Sequence, residues 1–126
     1  MSAVATAVDV GAVDEFEHAV ARIVQVEGRE VAVVRWHDGF YALRNVCPHQ
    51  SQSFAKGAVR REVRATPDGA LELGPPVLAC PWHCWPFDLA TGRCTADPQK
   101  RIRAFPVQVA DGRVRVVVER QPQPTP

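Results

Sequence analysis

From Ala19 onward the chain favours β-branched residues in alternation, through Val20, Arg22, Val24 and Val26 and then across residues 31–36, with Glu27-Gly28 between the two runs. A period of two, interrupted by a pair that accepts positive φ, predicts a β-hairpin. Asp38-Gly39 marks a two-residue turn into a third strand over residues 40–43. Residues 58–64 and 70–73 flank Thr66-Pro67-Asp68-Gly69 and predict another hairpin, which Gly74-Pro75-Pro76 ends. A short apolar run at 77–79 follows, then a small hairpin in which the Thr91-Gly92 turn joins residues 87–89 to Arg93-Cys94. Residues 102–109 and 114–118 alternate around Asp111-Gly112. One helix is expected, over residues 13–21, where Asp14 can cap and Phe16 and Val20 share a face. The pattern is that of an all-β fold built from many short antiparallel strands.

Two segments carry no period. Residues 45–57 and 80–86 are rich in Cys, Pro, His and Trp, and read as loops that display side chains at the ends of strands. The first holds Cys47-Pro48-His49 and the second Cys80-Pro81-Trp82-His83, so each offers one thiolate and one imidazole. Thiolate suits zinc or an iron–sulfur cluster and imidazole suits zinc or iron, so ligand type leaves both metals open. The spacing favours iron. Structural zinc sites usually pair Cys with Cys and His with His at short spacing, whereas here each loop is mixed.

These loops resemble those of the Rieske family, in which a C-x-H loop and a C-x-x-H loop sit on a small β-domain. The likeness runs from about Val20 to Val118 and includes Asn45-Val46 before the first loop, Phe87-Asp88 and Thr91-Gly92 after the second, and Pro98 and Ile102 beyond. It implies a small β-sandwich or incomplete barrel with two cluster-binding loops, holding one [2Fe–2S] cluster through Cys47, His49, Cys80 and His83. The two Cys would hold one iron and the two His the other. With two thiolates rather than four, the cluster is less negative at each oxidation state and easier to reduce, within a range of roughly −150 to +300 mV. Gln52 and Trp82 stand where the respiratory branch adds a disulfide-forming Cys pair, so the likeness is to the ferredoxin and oxygenase branch. Ser51 and Cys84 stand where relatives usually carry glycine, a departure that bears on the potential rather than on the ligand set.

At 126 residues the chain fits one domain, and a second catalytic domain does not fit. The expected division is an N-terminal extension at 1–15, the cluster domain at 16–119 and a disordered tail at 120–126 rich in Pro and Gln. A formal net charge of +1 gives no global pull toward nucleic acid or acidic membranes. Neither a signal peptide nor a spanning run of about 20 apolar residues is read, so the expected setting is the cytoplasm, with thiols reduced. Cys94 is expected as a buried apolar residue, and Trp82 and Trp85 as packing or shielding around His83. His18 and His37 fit no ligand spacing, which leaves nothing to build the separate mononuclear iron site of a complete oxygenase.

The function implied is that of an electron-transfer component, a ferredoxin between an upstream reductase and a downstream oxygenase or reductase. The alternatives are the small subunit of a nitrite-reductase-like complex and a cluster-based redox sensor. Lys56, Arg60, Arg61 and Arg64 after the first loop, with Lys100, Arg101 and Arg103 after the second, are expected either as solvated strand faces or as a basic rim that steers an acidic redox partner.

Overall fold

The computed structural model of the chain describes residues 4–37, 39–46, 54, 59–80, 85–97 and 99–120. Among the described residues, ten strands form three antiparallel sheets. The first sheet has the order β1-β10-β9, from β1 (Val4–Ala12), β9 (Val107–Ala110) and β10 (Arg113–Arg120). The second has the order β2-β3-β4-β8, from β2 (Ala21–Val26), β3 (Arg29–Trp36), β4 (Gly39–Arg44) and β8 (Ala104–Phe105). The third has the order β5-β6-β7, from β5 (Val59–Ala65), β6 (Leu71–Ala79) and β7 (Pro86–Asp88).

The second sheet lies in the middle and has a core on each face. Val31 and Val33 of β3 join Phe16, Val26, Phe105, Val114, Val116 and Val118 on one side. Ala32 and Val34 join Leu43, Phe54, Leu78, Phe87 and Leu89 on the other. A strand covered on both faces must be apolar at successive positions, which explains why residues 31–34 do not alternate.

The Glu27-Gly28 and Asp111-Gly112 turns form where the sequence puts them, with all four residues at positive φ and the ladders closing at Val26↔Arg29 and Ala110↔Arg113. The next turn is displaced by one residue, because Trp36 pairs with Gly39 and His37 takes the positive φ. Residues 102–109 are split at Pro106, so that β8 pairs with β4 and β9 with β10. Gly74-Pro75-Pro76 does not end its strand. Instead Gly74 and Pro75 stand opposite Glu62 alone, where the register slips, and β6 continues to Ala79.

The N-terminal expectations need correction. The helix over 13–21 is only a 3₁₀ turn, Val13–Glu15, after which His18 and Val20 make isolated bridges. Residues 4–12, expected to precede the domain, are instead a sheet strand paired with β10 from Val4↔Arg120 to Ala12↔Arg113. Of the tail expected over 120–126, residue 120 ends β10 and residues 121–126 lie outside the described residues.

Asp9 and Arg113 tie β1 to β10 through two hydrogen bonds of 2.9 and 2.6 Å. Asp9 Oδ1 also accepts the Gly11 N–H at 3.0 Å, at the register slip. The Arg113 guanidinium holds the Asp9 carboxyl below the usual carboxylate range. A depressed folded-state pKa means that the pair stabilises above the unfolded carboxylate pKa and stops doing so as pH falls through the folded one. Arg113→Leu is expected to raise the Asp9 pKa toward its ordinary value in a carboxyl-detected NMR titration. An unchanged titration would show that Arg113 does not set it.

Candidate metal centre

Cys80 follows directly on β6, and its side chain is fully buried. The ladder with β7 runs through Leu78↔Phe87 to Ala79↔Pro86, and the Cys80 N–H then donates to the Trp85 carbonyl at 3.0 Å. The base of the second loop is thereby closed around residues 81–84. His83, Cys84 and Trp82 lie outside the described residues, and so do Cys47, His49 and Ser51 of the first loop.

The base of the first loop is closed by a side chain. β4 is held at its end by the Arg44 N–H donating to Arg103 O at 2.8 Å and the Asn45 N–H donating to Glu30 O at 3.0 Å. Asn45, the one buried polar residue among those described, then accepts the Phe54 N–H on Oδ1 at 2.6 Å. One amide group thus pins the two feet of a loop containing Cys47 and His49. Phe54 is fully buried and meets Phe87 edge-on, with ring centroids 5.6 Å apart. Because Phe87 pairs with Leu78, one apolar floor supports both loop bases, and Cys80 belongs to it. Sequence reasoning noted Asn45 as motif and missed Phe54, whose aperiodic surroundings give no signal of burial.

Removing the Asn45 carboxamide leaves the Phe54 N–H buried without that acceptor, at a cost of about 1–3 kcal/mol. Asn45→Ala is expected to lower the denaturation midpoint accordingly and to speed iron loss to a chelator. Unaltered iron release would mean that the clamp does not govern the loop.

Downstream of the second loop, Asp88 Oδ1 accepts the N–H groups of Ala90 at 2.8 Å and Thr91 at 3.2 Å. Gly92 has φ +77°, and a Cβ there would overlap the Ile102 carbonyl oxygen, so only glycine permits this crossing. The Ile102 N–H donates to Gly92 O at 2.8 Å and the Cys94 N–H to Lys100 O at 2.9 Å, fastening residues 92–94 to 100–102. Pro98 lies outside the described residues. Cys94 is buried and free. His18 and His37 are exposed, with rings 5.1 Å apart and His18 stacked on Trp36 at 4.9 Å.

A [2Fe–2S] group fits what is described. Cys80 is a buried thiol among Phe54, Phe87 and Leu78, and thiolate is the soft ligand such a cluster takes. The two Cys and two His expected from the sequence would give the mixed ligation of such a cluster.

Comparison with known proteins gives the same reading. The model of the Rieske-like [2Fe-2S] domain family matches residues 7–117. The ferredoxin component of the alkene monooxygenase system of Xanthobacter autotrophicus is 32% identical over 116 residues, covering 92% of this chain and 84% of that one. The solved ferredoxin of carbazole 1,9a-dioxygenase from Nocardioides aromaticivorans is 30% identical with a TM-score of 0.70, covering 88% of this chain and 96% of that one. A structure assigned to an NADH-dependent nitrite reductase small subunit from Mycobacterium tuberculosis superposes with a TM-score of 0.76 at 24% identity, over 94% of this chain and 97% of that one, which shows the fold alone. With both loop bases inside the matched span, the chain belongs to the Rieske-like [2Fe-2S] domain family and binds one Rieske-type [2Fe–2S] cluster.

Proposed function

We propose that the chain is the ferredoxin of an oxygenase system and holds its cluster through Cys47, His49, Cys80 and His83. The carrying observation is the shared apolar floor, which brings the feet of both ligand loops together and buries Cys80 within it. Ferredoxin components of oxygenase systems match over most of their own length as well as most of this chain, which supports a free-standing carrier.

The cluster, when bound, takes up and releases one electron. The chain's own residues set the conditions for that exchange. Phe54, Phe87 and Leu89 exclude water from the Cys80 side, and the backbone ladders on both sides of the second loop limit its rearrangement between oxidation states. Two His and two Cys are consumed by ligation. His18 and His37 lie against Trp36, so the chain is an electron-transfer component rather than a complete oxygenase. A reducing, cytoplasmic setting belongs to the same proposal, which needs Cys47 and Cys80 as thiolate ligands rather than as disulfide partners. No helix among the described residues is long and apolar enough to cross a membrane.

Anaerobic purification followed by metal analysis and EPR of the reduced protein tests the ligand set. About two irons per chain and a reduced-state signal with average g below that of all-Cys clusters are expected. A colourless zinc protein would overturn it. Reconstitution with a reductase and a Rieske oxygenase tests the role, and a chain that is redox-active only within a large reductase complex would support the nitrite-reductase alternative instead.

A further inference from the structure

We propose that the cleft between the β5–β6 hairpin and the segment after β7 is a binding site for a phosphate-class oxyanion. The cleft has a volume of about 500 Å³, and its lining includes Arg64, Arg93, Arg101, Thr91, Thr95 and Asp88. Its unusual feature is a pair of like charges held side by side. Arg93 and Arg101 face each other in an isolated antiparallel bridge, where like-charged neighbours destabilise. The backbone cannot slide to separate them, because the Gly92–Ile102 crossing and the Cys94–Lys100 hydrogen bond fix the register on either side.

Arg64 adds a third guanidinium from the hairpin. Its Nε lies 3.3 Å from where a Cβ on Gly74 would stand, on the hairpin face that also carries Glu62. Three carboxylates lie near these guanidiniums, and Glu72 stands directly across the ladder from Arg64. Asp88 Oδ1 accepts two backbone N–H groups, and Glu62 accepts the Thr95 hydroxyl. Among the described residues, Arg64, Arg93 and Arg101 form no ion pair. Arg64 faces Glu72 across its ladder, whereas the facing Arg93 and Arg101 have Asp88 as the one carboxylate in the cleft lining. A phosphate group can span the Arg93–Arg101 pair and offers enough oxygens for forked guanidinium contacts and a threonine hydroxyl.

This inference stands apart from the cluster assignment, and its test reads binding rather than electron transfer. Holoprotein is titrated calorimetrically with inorganic pyrophosphate at low salt. One saturable site is expected, weakened about tenfold or more by Arg93→Gln and by Arg101→Gln. Arg60→Gln, an exposed hairpin residue outside the cleft lining, is expected to leave it unchanged. The melting temperature supplies a second reading with opposite signs. Without pyrophosphate, Arg93→Gln or Arg101→Gln melts above the parent because the repulsion is relieved, and with saturating pyrophosphate it melts below. No saturable heat, an equal loss from Arg60→Gln, or variants that melt lower without pyrophosphate would each overturn the proposal.

Discussion

Cys80→Ser is expected to yield a protein with little or no bound iron, no visible Rieske spectrum and no reduced-state EPR signal. Serine keeps the size and places a hydroxyl at the end of β6, but it does not supply the soft thiolate that a sulfide-bridged iron takes as ligand. Cys94→Ala is the matched control. Both thiols are fully buried in the same apolar core, so loss of packing alone treats them alike. Cys94→Ala is expected to cost no more than about 2 kcal/mol and to keep its iron and spectrum. If both variants lost the cluster equally, or if Cys80→Ser kept it, Cys80 would be a core residue and not a ligand.

Phe54→Ala should have the largest effect on stability. A wholly buried ring that touches Phe87 and sits between the two loop bases leaves a cavity when truncated, worth about 3–5 kcal/mol. For a domain of this size that is a substantial fraction of the whole stability. Chemical denaturation should show the loss, and cluster bleaching in air should accelerate with it. Val63→Ala, on the exposed face of β5, should change stability by no more than about 0.5 kcal/mol. Similar losses at the two positions would show that the floor is not the structural keystone of the loops.

What the sequence revealed, and what it hid, follows the range of the interactions. Turns whose geometry is written in two adjacent residues, Glu27-Gly28 and Asp111-Gly112, were legible because positive φ is a local demand. Asp38-Gly39 misled by one position, since His37 accepts the positive φ and Gly39 is left to pair with Trp36. Residues 4–12 had no local sign of their partner, which lies more than a hundred positions along the chain. Two prolines at 75 and 76 imitate a strand end, and only the slip opposite Glu62 shows how a ladder passes them. At the centre, Cys80 stood out through its motif, whereas the Asn45–Phe54 clamp spans nine residues and exists only once the first loop has folded back.

The pairing of Val4 with Arg120 brings the first and last described residues side by side. Directly opposed strand residues have Cα atoms about 5 Å apart, so a short added linker can join residue 120 to residue 4. Reopening the backbone at the exposed turn between Pro67 and Asp68 would then give a circular permutant in which the ligand loops occupy the opposite halves of the reading frame. In that order Cys80 and His83 would be synthesised before Cys47 and His49, and the sequence of events in cluster assembly could be varied without altering a single side chain between residues 4 and 120.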